Sequence, residues 1–471
     1  MKILVQKFGG TSVDSEEHRA MAAGKVVRAV QAGWKVVVVV SAIGRAGAPY
    51  ATDTLVRTLK DVDTNVAPAL REMDLMMACG EIISTVVLAQ TLRAKGFETI
   101  ALTGGQAGIL TDYEFGNARI LSIDPSYIIR MLEAGRIVLV AGFQGVTTYG
   151  AITTLGRGGS DTTASALGAA LKPHAGEVVV EIYTDVDGVK TADPRLVPDA
   201  RRLDLATYEE VAEMAHMGAK VVHPRAAEIA HQYQIPLWVK STFADAPGTR
   251  ITFSEELAGV EEALRMRVTG VTHTGKIVYL RFSLPETEDE GQVWQDKAQI
   301  ELALYKMLQD EGIPLYLNST EGNAFSFAIA REHLPRLRGL VDGLAIPIAF
   351  GQQAAVNTPG KRGRVYLMGL GPHDRGFIAQ RTMLERVSPY ITMYEVQAEV
   401  TENCTVVSVI AARFRGVPGV MALVLETLAD IGIPVYQTAD SELSISVLIP
   451  EADVPRATRA LHEVFLPALS E

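Results

Sequence analysis

Short apolar segments alternate with longer helix-like segments from residue 1 to residue 240. The apolar segments are rich in β-branched residues, and they are Ile3–Gln6, Val36–Ser41, Ile137–Gly142, Val178–Thr184 and Pro236–Lys240. Helix-like stretches lie between them, at Ser15–Ala32, Arg71–Lys95, Asp161–Leu171 and Tyr208–Gln234. Because Val36–Val40 is continuously apolar, it is typical of a parallel strand buried on both faces. The alternation predicts an α/β domain built on a mostly parallel sheet, whose ligands bind beyond the carboxyl ends of the strands.

An internal repeat follows a linker that contains Pro247 and Gly248. The segments Leu304–Ile329 and Val424–Ile449 align without a gap, 120 residues apart. Each copy has the pattern of a helix, a Gly-Ile-Pro turn, a strand, a polar turn and an alternating strand, which is the middle of a ferredoxin-like βαββαβ unit. We therefore divide the chain into a catalytic domain, a first module, an inserted or divergent segment and a second module, at residues 1–245, 262–339, 340–403 and 404–471.

Composition excludes several classes of protein. The chain has 44 Lys and Arg against 55 Asp and Glu, a net charge of −11, which argues against general binding to nucleic acids or anionic membranes. Two cysteines, Cys79 and Cys404, are too few for a disulfide scaffold or a four-cysteine zinc site. Gln6 and Lys7 interrupt the first apolar run, so we expect no signal peptide. These features favour a cytoplasmic enzyme or sensor.

The common nucleotide and metal signatures do not occur. There is no G-x-x-x-x-G-K-[ST] motif and no H-E-x-x-H motif, and Gly156–Asp161, GRGGSD, does not complete G-x-G-x-x-G. His216, His223 and His231 lack convincing ligand partners in the sequence, so we interpret them as structural or surface residues. We therefore predict no metal site formed by protein side chains.

Three loops that follow predicted strands carry the candidate chemistry. The first strand runs into Lys7-Phe8-Gly9-Gly10-Thr11-Ser12, where a glycine pair lets backbone N–H groups turn toward an anion beside a lysine. Gly156–Thr163 combines backbone donors with a guanidinium suited to a carboxylate, and it precedes an alanine-rich helix. Thr184–Val189 and Thr191–Arg195 follow an apolar strand. Together the loops predict an anion site at one edge of the sheet.

Further polar residues complete the candidate pocket. Ser41 ends the second strand, and Thr52 lies in a polar loop. Glu81 has the apolar neighbours Cys79, Ile82 and Ile83, so its carboxylate needs a partner if it is buried. Lys220 is a second candidate cation.

Together these motifs resemble those of the aspartate kinases, in the amino-acid kinase superfamily. They follow the family's order: KFGGTS at 7–12, VVVVVSA at 36–42, TD at 52–53, GE at 80–81, AGFQG at 141–145, GRGGSDTTA at 156–164, TDVDGV at 184–189, TADPR at 191–195 and GAKVVHPRA at 218–226. The repeats resemble the family's paired ACT modules, which bind amino-acid effectors. That likeness is closest at GVPGV, 416–420, and at Ala439-Asp440-Ser441.

The resemblance implies transfer of a phosphoryl group from MgATP to the β-carboxylate of L-aspartate. The product is 4-phospho-L-aspartate, and the reaction is the first step toward lysine, diaminopimelate, threonine and methionine. A carboxylate with a pKa of about 4 is already ionised at neutral pH, so no general base is required. Repulsion between anions is the obstacle, so cations and N–H dipoles should dominate catalysis.

The resemblance also assigns residues. Lys7 and Asp161 are catalytic, with Asp161 orienting Lys7. Glu81 takes the substrate ammonium and Arg157 its α-carboxylate, within a substrate set of Ser41, Thr52, Glu81, Arg157, Gly158, Gly159 and Ser160. The ATP set is Lys7, Phe8, Gly9, Gly10, Thr184, Asp185, Lys190, Thr191, Ala192, Asp193, Pro194, Arg195, Lys220 and Val221. The cofactors are ATP and Mg²⁺, with the ion held mainly through the phosphates.

Regulation is implied by the same resemblance. The feedback amino acid is meso-diaminopimelate, lysine or threonine, and the assembly is a homodimer or larger. The effector residues are Val417, Pro418, Gly419, Val420, Thr438, Asp440, Ser441 and Glu442. Open alternatives are another amino-acid kinase, acting on glutamate, acetylglutamate, carbamate or UMP, an amino-acid sensor with an inactive kinase site, and a nucleotide-binding scaffold. Glu81 and the paired repeats argue against the first, and intact Lys7, Arg157 and Asp161 against the second.

Overall fold

The structure is a computed structural model. It describes residues 1–219, 221–253, 268–285, 290–348, 363–371, 374–386, 391–412, 414 and 418–467. The predictions for Lys220 and Val417 lie outside these residues.

The N-terminal half of the chain contains twelve strands and seven helices within the described residues. The strands are β1 (Lys2–Phe8), β2 (Lys35–Val40), β3 (Thr99–Leu102), β4 (Ile109–Thr111), β5 (Ile120–Ile123), β6 (Ile137–Ala141), β7 (Gln144–Val146), β8 (Ile152–Thr154), β9 (Glu177–Thr184), β10 (Leu205–Thr207), β11 (Leu237–Ser241) and β12 (Thr249–Thr252). The helices are α1 (Glu16–Gln31), α2 (Thr52–Lys60), α3 (Leu70–Arg93), α4 (Ser126–Glu133), α5 (Gly159–Leu171), α6 (Tyr208–His216) and α7 (Pro224–Gln232).

Eight of these strands form one sheet in the order β10-β12-β11-β9-β1-β2-β6-β3. Its neighbouring strands are parallel except for the pair β11 and β12. Val37 and Val39 of β2 pack into the core on one face, and Val36, Val38 and Val40 pack into the core on the other. The predicted α/β domain with a mostly parallel sheet is confirmed. The small sheet β5-β4-β7-β8 was not predicted, because strands of three or four residues leave little periodicity.

Helix α3 combines length with apolar composition, so by those two criteria alone it qualifies as a membrane-spanning candidate. Within the described residues it is the one helix that does. In the structure α3 packs against α2, β3 and β8, and it buries Asp74 and Glu81. Packing inside the α/β domain therefore covers one part of its apolar surface, whereas Leu70, Leu75 and Val86 are exposed.

The C-terminal half contains ten strands and five helices within the described residues. The strands are β13 (Val268–His273), β14 (Ile277–Ser283), β15 (Tyr316–Glu321), β16 (Ala324–Ala330), β17 (Leu344–Ile348), β18 (Gly363–Met368), β19 (Ile391–Glu395), β20 (Gln397–Ala411), β21 (Gln437–Asp440) and β22 (Ser444–Pro450). The helices are α8 (Glu290–Asp310), α9 (Leu334–Val341), α10 (Arg375–Glu385), α11 (Val420–Asp430) and α12 (Val454–Phe465).

One long strand, β20, joins two ferredoxin-like modules. Its first part pairs with β14, and its second part pairs with β13 and β22. The first module is therefore β14-α8-β15-β16-α9 with the start of β20, and the second module is the rest of β20 with α11-β21-β22-α12 and β13. Helices α8 and α11 end at Asp310 and Asp430, which preserves the 120-residue offset of the repeat. Strand β20 crosses the expected division between residues 403 and 404.

The segment between the modules forms its own small sheet. Strands β17, β18 and β19 are adjacent in that order, and α10 connects the parallel strands β18 and β19. The fully buried Asp296 of α8 accepts two hydrogen bonds from Arg364, at 2.9 and 3.1 Å, and one from Tyr366 at 2.9 Å. The segment is thus tied to the first module.

Candidate active site

An ion pair lies at the carboxyl end of the central strand. Lys7 is next to the last residue of β1, and Asp161 is in the first turn of α5. Lys7 Nζ is 2.7 Å from Asp161 Oδ1, and each side chain is 13% exposed. The structure therefore brings together the two residues that were predicted to be catalytic. The Lys7 ammonium lies at the carboxyl edge of the sheet.

Gly10, the second glycine after β1, is required by close packing. A Cβ atom on Gly10 would lie 2.5 Å from the carbonyl oxygen of Ala42 and 2.6 Å from that of Gly44. The amide of Gly44 donates a hydrogen bond to the carbonyl oxygen of Gly10, at 3.0 Å. Phe8 is buried and stacks on Tyr183, with ring centroids 4.8 Å apart. The turn after β1 thus lies directly against the loop after β2, which contains Ser41.

Glu81 is a buried carboxyl group in which one oxygen lacks a hydrogen-bond partner among the described residues. Its side chain is 3% exposed, and Oε1 accepts a hydrogen bond from the amide of Ala42 at 3.2 Å. Within the described part of the chain, Oε2 has no hydrogen-bond partner. Desolvation raises the pKa of Glu81 to about 8, although the hydrogen bonds from backbone amides oppose the shift. The free protein therefore holds Glu81 largely neutral at pH 7.

Helix α3 approaches the loop that carries the other predicted substrate residues. A Cβ atom on Gly80 would lie 2.7 Å from the carbonyl oxygen of Tyr50 and 2.9 Å from the Cβ of Ala42. Ser41 begins this loop, and Thr52 starts α2 at its end. Helix α3, which carries Glu81, therefore packs against both ends of the loop that runs from Ser41 to Thr52.

Arg157 lies between two glycines in the left-handed conformation. Gly156 has φ of 74° and Gly158 has φ of 68°. A Cβ atom on Gly158 would lie 2.1 Å from the ring of His223, so glycine is required there. The Arg157 side chain is exposed, whereas Gly159 and Ser160 are buried at the start of α5. The loop is therefore fixed at its base, and its guanidinium remains accessible to an anion.

His223 supports this arrangement. Its amide donates a hydrogen bond to Asp161 Oδ2 at 3.3 Å. Burial lowers the pKa of His223, and the nearby Asp161 carboxylate partly offsets this effect. The interpretation of His223 as a structural residue fits these contacts, but its proximity to Asp161 was not predicted. Its position within GAKVVHPRA was the available signal.

The loop after β9 carries the predicted nucleotide residues. Asp185, next to Thr184, forms a 2.7 Å ion pair with Arg45 of the loop after β2. Lys190 pairs with Asp187 at 3.1 Å, and Arg195 pairs with Asp193 at 2.6 Å. Hydrogen bonds from Arg195 hold the pKa of Asp193 below its usual value. Arg45 was not predicted, because it lies between the motifs at 36–42 and 52–53.

Thr191 is turned toward the second module. Its hydroxyl accepts a hydrogen bond from the amide of Arg201 at 3.0 Å and lies 2.9 Å from His462 Nε2. The amide of Val271 donates to the carbonyl oxygen of Thr191 at 2.8 Å. The remaining predicted residues of this set differ in exposure: Ala192 is buried, Val221 is partly buried, and Pro194 is exposed. This predicted nucleotide loop is thus held directly by the C-terminal half.

Three aspartates near the site are already paired with cations. Asp161 is bound to Lys7, Asp185 to Arg45 and Asp187 to Lys190. Among the described residues, no group of three or more His, Cys, Asp or Glu side chains is placed to hold a metal ion.

Comparison with known proteins places the chain in a family. The model of the amino acid kinase family matches residues 2–241, and the ACT domain model matches residues 399–463. Aspartokinase 1 of Bacillus subtilis is 37% identical over 466 residues, which are 99% of each chain. The aspartokinase of Geobacillus stearothermophilus is 37% identical over 477 residues, 99% of this chain and 97% of that one. This chain belongs to the aspartokinase family.

Family membership makes the chain a kinase, which confirms the predicted enzyme class. The crystal structure of Escherichia coli aspartokinase III in complex with aspartate and ADP shows that the fold is shared. It aligns with a TM-score of 0.70 at 23% identity and covers 98% of this chain and 99% of that one. The ACT match falls on the second module.

Residues predicted to bind an effector lie on one side of this aspartokinase's second module. Gly419, with φ of 89°, caps α11, and Pro418 beside it is exposed. The amide of Phe414 donates a hydrogen bond to the carbonyl oxygen of Glu442 at 2.7 Å. Phe414 and the turn after β21 are therefore adjacent in one chain. The other predicted residues of this set are Val420, which is partly buried, and Thr438, Asp440 and Ser441, which are exposed.

The raised pKa of Glu81 predicts a cost in stability. The unfolded chain loses the Glu81 proton near pH 4.5, whereas the folded chain keeps it to about pH 8, so stability falls as pH rises through that window. We expect Glu81→Gln to unfold at higher urea concentration than wild type at pH 8, with the difference vanishing near pH 4.5. Glu72→Gln, at an exposed position of the same helix, is the control. A Glu81→Gln protein that is less stable than wild type at pH 8 would contradict the interpretation.

Proposed function

We propose that this protein transfers the γ-phosphoryl group of ATP to the β-carboxylate of L-aspartate, forming 4-phospho-L-aspartate and ADP. The observation that carries the proposal is the buried Glu81 carboxyl group with an open Oε2, fixed through Ala42 to the loop that packs on the Gly10 turn. A carboxyl group in this position suits an ammonium ion. The curated relatives, at 37% identity over nearly the whole chain, are named as aspartokinases.

Substrate recognition follows from two charged ends. Glu81 would accept the ammonium of aspartate and ionise as that cation arrives, because an opposite charge favours the charged form. Arg157, exposed between its two glycines, would bind the α-carboxylate in a bidentate manner. The β-carboxylate would then point toward Lys7. It is already ionised at neutral pH, so the site needs no general base.

Phosphoryl transfer depends on offsetting negative charge. Lys7 supplies a cation at the end of the central strand, and Asp161 fixes its direction. The turn after β1 adds backbone N–H groups, and Gly10 allows them to approach the phosphates closely. Mg²⁺ supplies further neutralisation when it is bound with ATP. Lys190 and Arg195, with Asp187 and Asp193 as their partners, would line the nucleotide side.

Regulation would reach the site through the nucleotide loop. Helix α12 of the second module contacts that loop twice, through His462 at Thr191 and through Arg459, which donates to the carbonyl oxygen of Leu196 at 2.9 Å. A feedback amino acid bound beside α11 and β21 would bias the position of the second module and so the nucleotide loop. Lysine, threonine and meso-diaminopimelate are the candidates. A homodimer or larger assembly and a cytoplasmic location also stay predictions.

The direct test of activity is aspartate-dependent release of ADP. We expect turnover with L-aspartate, and we expect Lys7→Ala to lower kcat by about 10²–10³-fold, since a group that stabilises charge in the transition state is lost. Arg157→Ala should mainly raise the KM for aspartate and leave the KM for ATP nearly unchanged. Arg136→Ala, an exposed arginine away from the site, is the control. Activity with glutamate and none with aspartate would overturn the proposed substrate.

Feedback inhibition has its own test. We expect Asp440→Ala to relieve inhibition by the effective amino acid while uninhibited turnover stays nearly unchanged, because the two sites are coupled only through an equilibrium between states. Initial rates would be measured with lysine, threonine and meso-diaminopimelate added separately. Asp430→Ala, at the exposed end of α11 in the same module, should keep the parent's inhibition. Unaltered inhibition in Asp440→Ala would remove Asp440 from the effector site.

A further inference from the structure

A second acidic residue is buried on the helix that carries Glu81. Asp74 lies seven residues before Glu81 on α3, which places both on the same face, two turns or about 10 Å apart. The Asp74 side chain is 0% exposed. No role was assigned to Asp74 by the sequence motifs, because an acidic residue in a helix is usually a solvated surface residue.

The Asp74 carboxylate accepts hydrogen bonds from two backbone segments, the end of β8 and the turn at Gly116. Oδ2 accepts hydrogen bonds from the amides of Thr154, at 2.8 Å, and Gly116, at 2.9 Å. Oδ1 accepts a hydrogen bond from the hydroxyl of Thr154 at 2.7 Å. Three donors on two segments thus converge on one carboxylate. Such charge-assisted bonds are the strong ones, particularly in a buried setting.

These contacts fix the base of the Arg157 loop. Thr154 is the last residue of β8, three positions before Arg157. The turn at Gly116 and Asn117 packs on the loop from the other side, since a Cβ atom on Gly156 would lie 2.7 Å from Asn117 Oδ1. The amide of Ala118 also donates to the carbonyl oxygen of Thr154 at 2.8 Å. Asp74 therefore holds both Thr154, from which the Arg157 loop begins, and Gly116, whose turn packs on that loop.

We propose that Asp74 is a positioning residue for aspartate recognition, and the inference rests on the proposed function. Helix α3 carries the ammonium-binding group, Glu81, directly, and it fixes the carboxylate-binding group, Arg157, through Asp74. The amino and carboxylate groups of an α-amino acid are attached to one carbon, so the two binding groups must keep a set separation. A displacement of about 1 Å at such a site costs on the order of 10²-fold in rate.

The test compares two substitutions. Asp74→Ala removes all three hydrogen bonds, and we expect the KM for aspartate to rise about 10-fold or more while the KM for ATP changes less than about 2-fold. Asp74→Asn can keep them, because Oδ1 still accepts from the two amides and Nδ2 donates to the Thr154 hydroxyl. We expect this variant to stay within about 3-fold of wild type. The proposal would be overturned if Asp74→Ala and Asp74→Asn each raised the KM for aspartate and the KM for ATP by similar factors.

A double-mutant cycle separates positioning from general destabilisation. If Asp74 acts through Arg157, then Asp74→Ala should raise the KM for aspartate in the wild-type protein and add almost nothing in the Arg157→Ala protein. Independent effects would multiply, and that result would overturn the proposal. If Asp74→Ala does not fold, Thr154→Val, which removes only the hydroxyl hydrogen bond, replaces it in the same cycle. We then expect a smaller rise in the KM for aspartate, which disappears in the Arg157→Ala background. A rise that persists in that background would overturn the proposal.

Different results would overturn the proposed function and the positioning role of Asp74. A wild-type protein without aspartate-dependent ADP release would overturn the proposed function itself. A wild-type protein with that activity, but with multiplying effects of Asp74→Ala and Arg157→Ala, would overturn only the positioning role.

Discussion

Desolvation of the Glu81 carboxyl group is the constraint on which the substrate side of the site depends. A carboxylate inside an apolar helix contact is costly, so the group stays protonated until a cation arrives. Helix α3 must then be held firmly, and Gly80 allows it to touch the loop that starts at Ser41, while Asp74 ties it to β8. In the proposed site, specificity for the substrate ammonium would thus be obtained at the expense of stability, which is common at functional sites.

The parallel sheet brings the rest of the chemistry to one edge. Strands β1, β2 and β9 are neighbours, so Lys7, Ser41 and Thr184 arrive together although they are far apart in sequence. The nucleotide loop after β9 then meets the second module through Thr191 and His462. One loop therefore belongs to both the catalytic domain and the regulatory half, which gives regulation a short physical route.

Local patterns predicted much of this arrangement, and long-range pairing accounts for what they missed. The glycine pair beside Lys7 predicted an anion site, and the apolar neighbours of Glu81 indicated that its carboxylate needs a partner if it is buried. Both predictions were possible because each depends only on adjacent residues. The 120-residue repeat also predicted the modules. The shared use of β20, and the return of β13 to the second module, depend on strand pairs more than 100 residues apart, which periodicity does not encode. The role of Asp74 and the contact between His223 and Asp161 were not predicted, because the partners Thr154 and Asp161 are distant in sequence.

Proton release on aspartate binding would show directly whether Glu81 is neutral in the free protein and ionises when it binds the substrate ammonium. Titration calorimetry at pH 7 in two buffers with different ionisation enthalpies would count the protons exchanged per bound aspartate. With the pKa of Glu81 at about 8 in the free protein, the account predicts release of nearly one proton from wild type and little release from Glu81→Gln. Equal proton exchange by the two proteins would contradict the assignment of Glu81 to the substrate ammonium.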